Sequence, residues 1–343
     1  MIPSEFDVIE SYFAHLSDWA GERVRVGVGD DCALLDVGAG FELVVSTDTF
    51  VEGVHFPNGA SGALVAERSL AAAASDLAAM GAEPLAVVGA LILKDIDLEW
   101  LESFSERLGE LLRVNGLPLV GGNLTQGPHF SLTWTVMGRV RAGEVLTRSG
   151  AEVGQDVYVS GWIGRAASGL DLILQADNEG EVRSVEWKDA ASVAKAAYSA
   201  PKARLALGQK LIGVASAAID ISDGLLSDLG HLLTMSGVGA EIDASALLMD
   251  KVLETLHGAD GEILRRALAG GDDYELCFCV DETKRATVEA IALELQLPLT
   301  RIGRISEPKG VRFHSLPERV LACLLYTSPS PRDQRGSRMP SSA

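Results

Sequence analysis

Acidic residues in this chain gather in short strings that stand far apart. They are GDDCALL (Asp30, Asp31), STDT (Ser46, Thr47, Asp48), SDLAAMGA (Asp76), IDISDG (Asp220, Ser222, Asp223) and GGDDYE (Asp272, Asp273). Between the third and fourth lies GGN, where Asn123 stands at a position that would suit another acid. Carboxylates brought to one wall repel each other unless cations sit between them. Oxygen donors without a cysteine or histidine cluster beside them suit magnesium better than zinc. A single such string is easily explained as a helix cap or a turn. Five of them, several flanked by glycine that lets a ligand approach the backbone, are not. The pattern points to a magnesium-dependent enzyme that handles phosphate groups.

Other motifs narrow the chemistry. GxxxxGK[ST] is absent, which excludes a P-loop enzyme, and HRD and DFG are absent, which excludes a protein kinase. No GxSxG elbow and no Cys–His arrangement stands out. GWIGRAASG (Gly161, Gly164, Gly169) reads equally as a phosphate loop opening a helix or as a turn that needs glycine for its geometry. His55, seven residues after Asp48 in VHF, is a candidate site residue, and Arg148 in LTRSGA is a candidate for gripping an anion. Acids outnumber bases 48 to 29, a formal charge of −19, and no basic stripe is present, so nucleic acid is not an expected partner. Such acidity repels anionic substrates unless bound cations invert the local sign. The four cysteines contain no CxxC; Cys277 and Cys279, two apart in ELCFCV, read as buried apolar residues. A reducing, cytoplasmic setting follows from the lack of a disulfide pattern. Glu5, Asp7 and Glu10 argue against a signal peptide, and no apolar run is long enough to span a membrane.

The elements that must position these residues alternate between strand and helix. A helix over about Ser4–Leu16 is followed by strands Val24–Val28, running into GDDCA, and Phe41–Ser46, ending at Thr47–Asp48. The alanine-rich segment Gly62–Met80 predicts a helix, with Gly81 as its left-handed terminator. Asp76 then falls in the last turns, where an acid opposes the helix dipole, a placement that favours a role toward a cation. Strand Pro84–Leu93, helix Leu98–Asn115, strand Pro118–Val120 leading into GGN, and the alternating strand Phe130–Val140 follow. The polar, glycine-punctuated run Arg141–Gln155 marks a domain junction. Beyond it come strand Asp156–Ser160, helix Ala200–Leu211 with Pro201 in its first turn, and strand Ala217–Ile221. A helix from SDGLLSDLGHLL, capped by Ser222 or Asp223, then strand Asp272–Val280, helix Glu282–Leu295 and strand Leu299–Ile305 complete the series. The fold class is a layered α/β one, with domains over residues 1–140 and 150–323. Residues 324–343 are rich in Ser, Pro and Arg and read as a disordered tail, of the kind a frameshift or read-through produces.

Taken in order, GDDCALL, STDTFVEGVHF, SDLAAMGA, LTRSGA, IDISDGLLSDLGH and GGDDYELCF closely resemble the thiamine-monophosphate kinase family. That family lies in the superfamily of aminoimidazole ribonucleotide synthetase and selenophosphate synthetase. The resemblance covers about Ser4–Ala322. It implies a homodimer whose N-terminal domains pair their sheets into a shared barrel, with ATP and several magnesium ions along that domain and the second domain closing over them. It implies magnesium ligands at Asp31, Ser46, Thr47, Asp48, Asp76, Asp220 and Asp223, with Asn123 at one further metal position. Gly122, Arg148 and Ser222 match positions that contact ATP, and His55 and Asp272 match positions facing thiamine phosphate. The chain departs from the family in two places. The family usually has aspartate where Asn123 stands, so an oxygen ligand is kept and a charge is lost. It also ends in an aromatic segment that packs on the substrate, where this chain runs into its Ser/Pro/Arg tail. No general base is expected, because a phosphate monoester with a second pKa of about 6 is already mostly a dianion at neutral pH. The rival readings are a sister ATP-dependent synthetase and an impaired ATP-binding remnant. Of the sister enzymes, selenophosphate synthetase would carry a reactive Cys and Lys near the N-terminus, and the chain has neither before Cys32.

Overall fold

In the computed structural model, residues 5–28, 32–175, 183–258 and 260–314 are described. Asp30, Asp31 and the tail over 324–343 lie outside them. The chain separates into two units, Met1–Val145 and Leu146–Ala343.

The first unit holds helix α1 (Glu5–Tyr12), a small antiparallel pair β1 (Val24–Val26) and β2 (Leu34–Leu35), and strand β3 (Phe41–Val51). Helix α2 (Gly62–Ala79), β4 (Glu83–Leu93), α3 (Leu98–Asn115), β5 (Leu119–Gln126) and β6 (Ser131–Arg141) follow. The four long strands form an open sheet in the order β3-β6-β4-β5, antiparallel except for the β4/β5 pair. Local signals set the helix ends. Ser61 accepts the Leu64 N–H at the start of α2, and Gly81 (φ 68°) turns the chain out of it. Asp97 accepts from the Glu99 and Trp100 N–H groups to open α3, and Gly116 (φ 65°) closes it. Small residues let α2 lie close to its neighbours: a Cβ on Gly62 would stand 2.3 Å from the Trp100 carbonyl of α3. Beneath them Trp100 stacks on Phe104 (5.1 Å), and buried Trp134 donates its indole N–H to Ser69 Oγ at 2.9 Å. On the other face of the sheet Leu43 and Val45 stand 48% and 53% exposed.

The second unit is built on a six-stranded sheet. Its elements are β7 (Asp156–Ser160), α4 (Arg165–Leu174), α5 (Val185–Ser199), α6 (Leu205–Leu211), β8 (Ala215–Ile221), α7 (Leu225–Ser236) and β9 (Gly239–Asp243). They continue with α8 (Lys251–His257), α9 (Asp260–Ala269), β10 (Glu275–Val280), α10 (Arg285–Leu295), β11 (Leu299–Ser306) and β12 (Gly310–His314). The order is β12-β9-β11-β7-β10-β8, antiparallel apart from β12/β9. β7 and β10 are buried along their whole length. Cys277 and Cys279 belong to that core; burial drives the first thiol well up and the second up to about 12, so both behave as apolar side chains.

Three expectations about elements are corrected. β3 runs through Thr47 and Asp48 to Val51, and β5 runs through Gly-Gly-Asn, so these residues lie inside strands rather than at their ends. The helix expected over Ala200–Leu211 begins only at Leu205, because Arg204 is drawn aside to pair with the buried Glu275. The alanine-rich α5, capped by Ser184, was not foreseen.

Asp156, buried at the start of β7, accepts from Arg285 at 2.6 and 2.9 Å and from Arg301 at 3.3 Å. Burial alone would raise its carboxyl, but the two arginines outweigh burial and hold it below its ordinary value. A depressed folded value contributes stability above the unfolded carboxylate range and loses it as pH falls through the folded pKa. The stability advantage of wild type over Asp156→Asn should therefore hold steady above about pH 5 and shrink below about pH 4. Parallel acid-unfolding curves by circular dichroism would refute this.

Candidate active site

In the first unit, strand alternation divides the STDT string between the two faces of the sheet. Ser46 and Asp48 point toward α2, and Thr47 points to the open face. On the covered side the Ser46 hydroxyl donates to Asp76 Oδ2, joining residues 30 apart in sequence. Thr47 Oγ1 donates to the Trp134 carbonyl at 3.1 Å and lies 3.1 Å from the Thr135 hydroxyl. Past the end of β3 the chain turns at Gly53 (φ 76°). There His55 Nδ1 accepts the Val51 N–H at 3.0 Å, which leaves the ring proton on Nε2. The His55 ring meets Phe50 edge-on, and its carbonyl accepts from Arg68 at 3.3 Å.

Gly122 pairs with Gly89 across β4 and β5. A Cβ on Gly122 would stand 2.3 Å from the Gly89 carbonyl oxygen, and one on Gly89 would stand 2.4 Å from the Trp134 ring. Only glycine allows the strands and the ring this approach. Asn123, next in β5, sits exposed on the open face opposite Ala90. A cavity of about 820 Å³ lies here, lined among others by Asp7, Phe13, Val28, Cys32, Gly122 and Asn123. That volume falls within the range of about 300–1,000 Å³ typical of small-ligand sites. Val28 and Cys32 flank the Asp30–Asp31 string, so its neighbours in sequence line the cavity.

The donors fit magnesium. Among the described residues no three His, Cys, Asp or Glu side chains gather closely enough to hold an ion unaided. Magnesium does not need such a cage, since it keeps several waters and takes one or two carboxylates together with substrate phosphates. A serine hydroxyl against Asp76, with Asp48 on the same strand face, is an all-oxygen arrangement of that kind.

In the second unit the fourth and fifth acidic strings meet. The Asp272 N–H donates to the Ser222 carbonyl at 2.9 Å, and the Tyr274 N–H to the Ile221 carbonyl at 2.8 Å. The Tyr274 hydroxyl donates to Asp272 Oδ1 at 3.1 Å. Asp272 (φ 69°) and Tyr274 (φ 52°) both take left-handed backbone that their side chains disfavour, and such strain collects at functional loops. Gly271 sits between them and the turn: a Cβ there would stand 2.5 Å from the Ser222 carbonyl. Asp220, buried near the end of β8, is paired with Leu276 of β10.

Neither Ser222 nor Asp223 caps α7, contrary to expectation. Gly224 (φ 105°) occupies the cap position without a side-chain bond. Asp228, in the first turn of α7, reaches back instead, and its Oδ2 accepts from both the Ser222 and Asp223 N–H groups at 3.0 Å. Burial pushes its carboxyl up to about 7, a rise that the neighbouring Asp223 reinforces and that the two N–H donors and the Arg148 charge oppose. Arg148 thus lies within electrostatic reach of this turn, and its carbonyl accepts from Ser236 at 3.0 Å. Sequence reasoning missed Asp228, although the acid five residues after Asp223 is visible in SDGLLSDLGH.

The glycine-rich GWIGRAASG proves structural. The N-terminus of α4 is occupied by Asp273, which accepts the Gly164 N–H at 2.7 Å and the Ala166 N–H at 3.3 Å. Gly161 is required because a Cβ there would stand 1.9 Å from the Glu275 carboxylate. A phosphate would find those helix donors already taken. Asp272 and Asp273, adjacent in sequence, therefore do different work: one shapes the loop against Ser222, and the other caps a helix.

Two family models match the chain: the N-terminal domain of AIR synthase related protein over residues 29–140, and the C-terminal domain of the same over residues 152–315. The thiamine-monophosphate kinase of Salmonella typhimurium is 41% identical over 317 residues, covering 91% of this chain and 94% of that protein. Among solved structures, the thiamine-monophosphate kinase of Stenotrophomonas maltophilia superposes with a TM-score of 0.82 at 38% identity, covering 91% of this chain and 97% of the other. A structure described as AaThiL complexed with AMPPCP and TMP superposes with a TM-score of 0.71 at 27% identity, covering 90% and 93% of the two chains.

Proposed function

The chain belongs to the thiamine-monophosphate kinases within the AIR synthase related family, and on that premise we propose that it transfers the γ-phosphoryl group of ATP to thiamine monophosphate. ADP and thiamine diphosphate are the products. The observation that carries the assignment of the site is the contact of Ser46 with Asp76 on the covered sheet face, with Asp48 beside it. It gathers oxygen donors where a strand and a helix meet.

Asp31, Ser46, Asp48, Asp76, Asp220 and Asp223 serve as magnesium ligands in this reading, with Thr47 and Asn123 as further oxygen donors on the open face of the sheet. Gly122, Arg148 and Ser222 contact ATP. His55, with its proton on Nε2, and Asp272, fixed by the Tyr274 hydroxyl, face thiamine phosphate. Bound magnesium supplies the charge neutralisation that lets two phosphate groups approach. The chain's own part is placement. Gly122 admits the nucleotide close to backbone, Arg148 offers a fixed positive charge, and the strained 272–274 loop holds the acceptor side. The acceptor phosphate is already an anionic nucleophile near neutral pH, so transfer is direct and in line, and no side chain acts as general base. The open face of the first unit's sheet, with Leu43 and Val45 exposed, supports a homodimer in which two such sheets pack into a barrel. The absence among the described residues of any helix long and apolar enough to cross a membrane fits a cytoplasmic enzyme.

The test is ADP release with ATP and magnesium, with and without thiamine monophosphate. Release that requires the acceptor and yields thiamine diphosphate is expected. Nucleotide binding with no response to the acceptor would sink the reading. In the same assay Asn123→Asp should lower the magnesium concentration needed for half-maximal rate, because it restores a charged ligand; an unchanged requirement would remove Asn123 from the metal set.

A further inference from the structure

We propose that Asp228 is a positioning residue for the turn that presents Ser222 and Asp223, a role that rests on the kinase reading of that site. The geometry is specific. One oxygen of one carboxylate, Oδ2, receives the N–H groups of two successive residues, each at 3.0 Å. From the opposite side the Ser222 carbonyl receives the Asp272 N–H at 2.9 Å. Both polar ends of the Ser222 backbone are therefore committed, one to a helix and one to the 270–274 loop.

The turn is clamped between two elements, with Gly271 close enough to Ser222 that no side chain could stand between them. Asp228 is itself only 4% exposed. A buried carboxylate is costly to keep unless it is well bonded. The first turn of a helix favours an acid, but that benefit does not require the side chain to bend back over the preceding turn. The arrangement sets where the Ser222 hydroxyl and the Asp223 carboxylate stand before any ligand arrives. Asp228 touches neither nucleotide nor acceptor in this view; it acts through the two residues that do.

Three substitutions separate placement from charge. Asp228→Asn keeps an acceptor oxygen in place of Oδ2. Asp228→Glu keeps the charge but displaces it by one methylene, and Asp228→Ala removes both. The readout is binding of AMPPCP with magnesium by calorimetry, together with the KM for ATP and kcat in the acceptor-dependent assay. The Asn variant should bind within about threefold of wild type, and the Glu and Ala variants should bind about 10–100-fold more weakly, the usual cost of losing an outer partner of a ligand-holding residue. The loss should fall mainly on KM. Glu binding like wild type while Asn is weakened would overturn the proposal, since charge rather than placement would then matter. Wild-type binding in all three, with only the melting temperature altered, would overturn it as well. Should the Ala variant not fold, the Asn and Glu pair still decides. Wild-type protein that binds AMPPCP but shows no acceptor-dependent turnover would sink the kinase reading alone, whereas wild-type protein that fails to bind AMPPCP would sink both.

Discussion

Asp76→Ala is expected to lower kcat/KM about 10²–10³-fold, the scale of removing one preorganised electrostatic contact, or about 2.7–4 kcal/mol, while leaving folding intact. Asp76 lies in the last turns of α2, four residues before the Met80 cap. An acid near a helix C-terminus works against the dipole, so its removal takes away an unfavourable charge rather than a support. Its carboxylate accepts the Ser46 hydroxyl, and that bond is on the covered face of the sheet, where the oxygen donors collect. The variant should therefore melt at or slightly above the wild-type temperature in metal-free buffer and yet be nearly inactive with magnesium in excess. Activity within fivefold of wild type, or a collapse in melting temperature matching the loss of rate, would remove Asp76 from the metal set.

Gly122→Ala should damage fold and site together. The new methyl would meet the Gly89 carbonyl at 2.3 Å, and Gly89 cannot retreat because the Trp134 ring lies across it. Both contacts are with elements that have little freedom: one is backbone in a paired strand, and the other is a ring stacked on Phe104 and bonded to Ser69. Overpacking of this kind costs about 1–3 kcal/mol, which corresponds to a fall in melting temperature of several degrees for a unit of this size. Because Gly122 and Asn123 also line the large cavity, AMPPCP binding should weaken as β5 shifts. Gly121→Ala is the natural control, since a Cβ there meets nothing within 4 Å. Equal melting temperatures for the two variants would show that the sheet yields more easily than its packing indicates.

Local chemistry made much of this legible in sequence. Helix α3 is bounded as predicted because Asp97 and Gly116 mark its ends, and Asp76 falls near the end of α2 because an alanine run stops at Gly81. What sequence concealed depends on partners far along the chain. Thr47 and Asp48 read as the end of a strand. They stay within it because Thr47 and Thr49 bond to Thr135 and Thr133 of β6, while Asp48 faces α2. The start of α6 is set by a pull from Glu275, 71 residues away from Arg204. Ser222 and Asp223 look like helix caps in SDGLL. Only the folded chain reveals that Asp228 bonds back to them and that the second acid of GGDDYE caps the start of a different helix. The likeness of GWIGRAASG to a phosphate loop fails for the same reason, since its helix donors are filled by a residue more than 100 positions on.

The long ladder between β3 and β6 works as a ruler. From Phe41 opposite Arg141 to Val51 opposite Ser131, each residue meets its partner without a bulge. Which face a side chain reaches is therefore decided by odd or even position alone. One residue inserted between Phe41 and Val45 would turn Ser46 and Asp48 outward and Thr47 inward, erasing the meeting with Asp76 without altering any residue of the site. An insertion of two would restore the facing. Length change within this strand should thus be inherited in pairs or not at all.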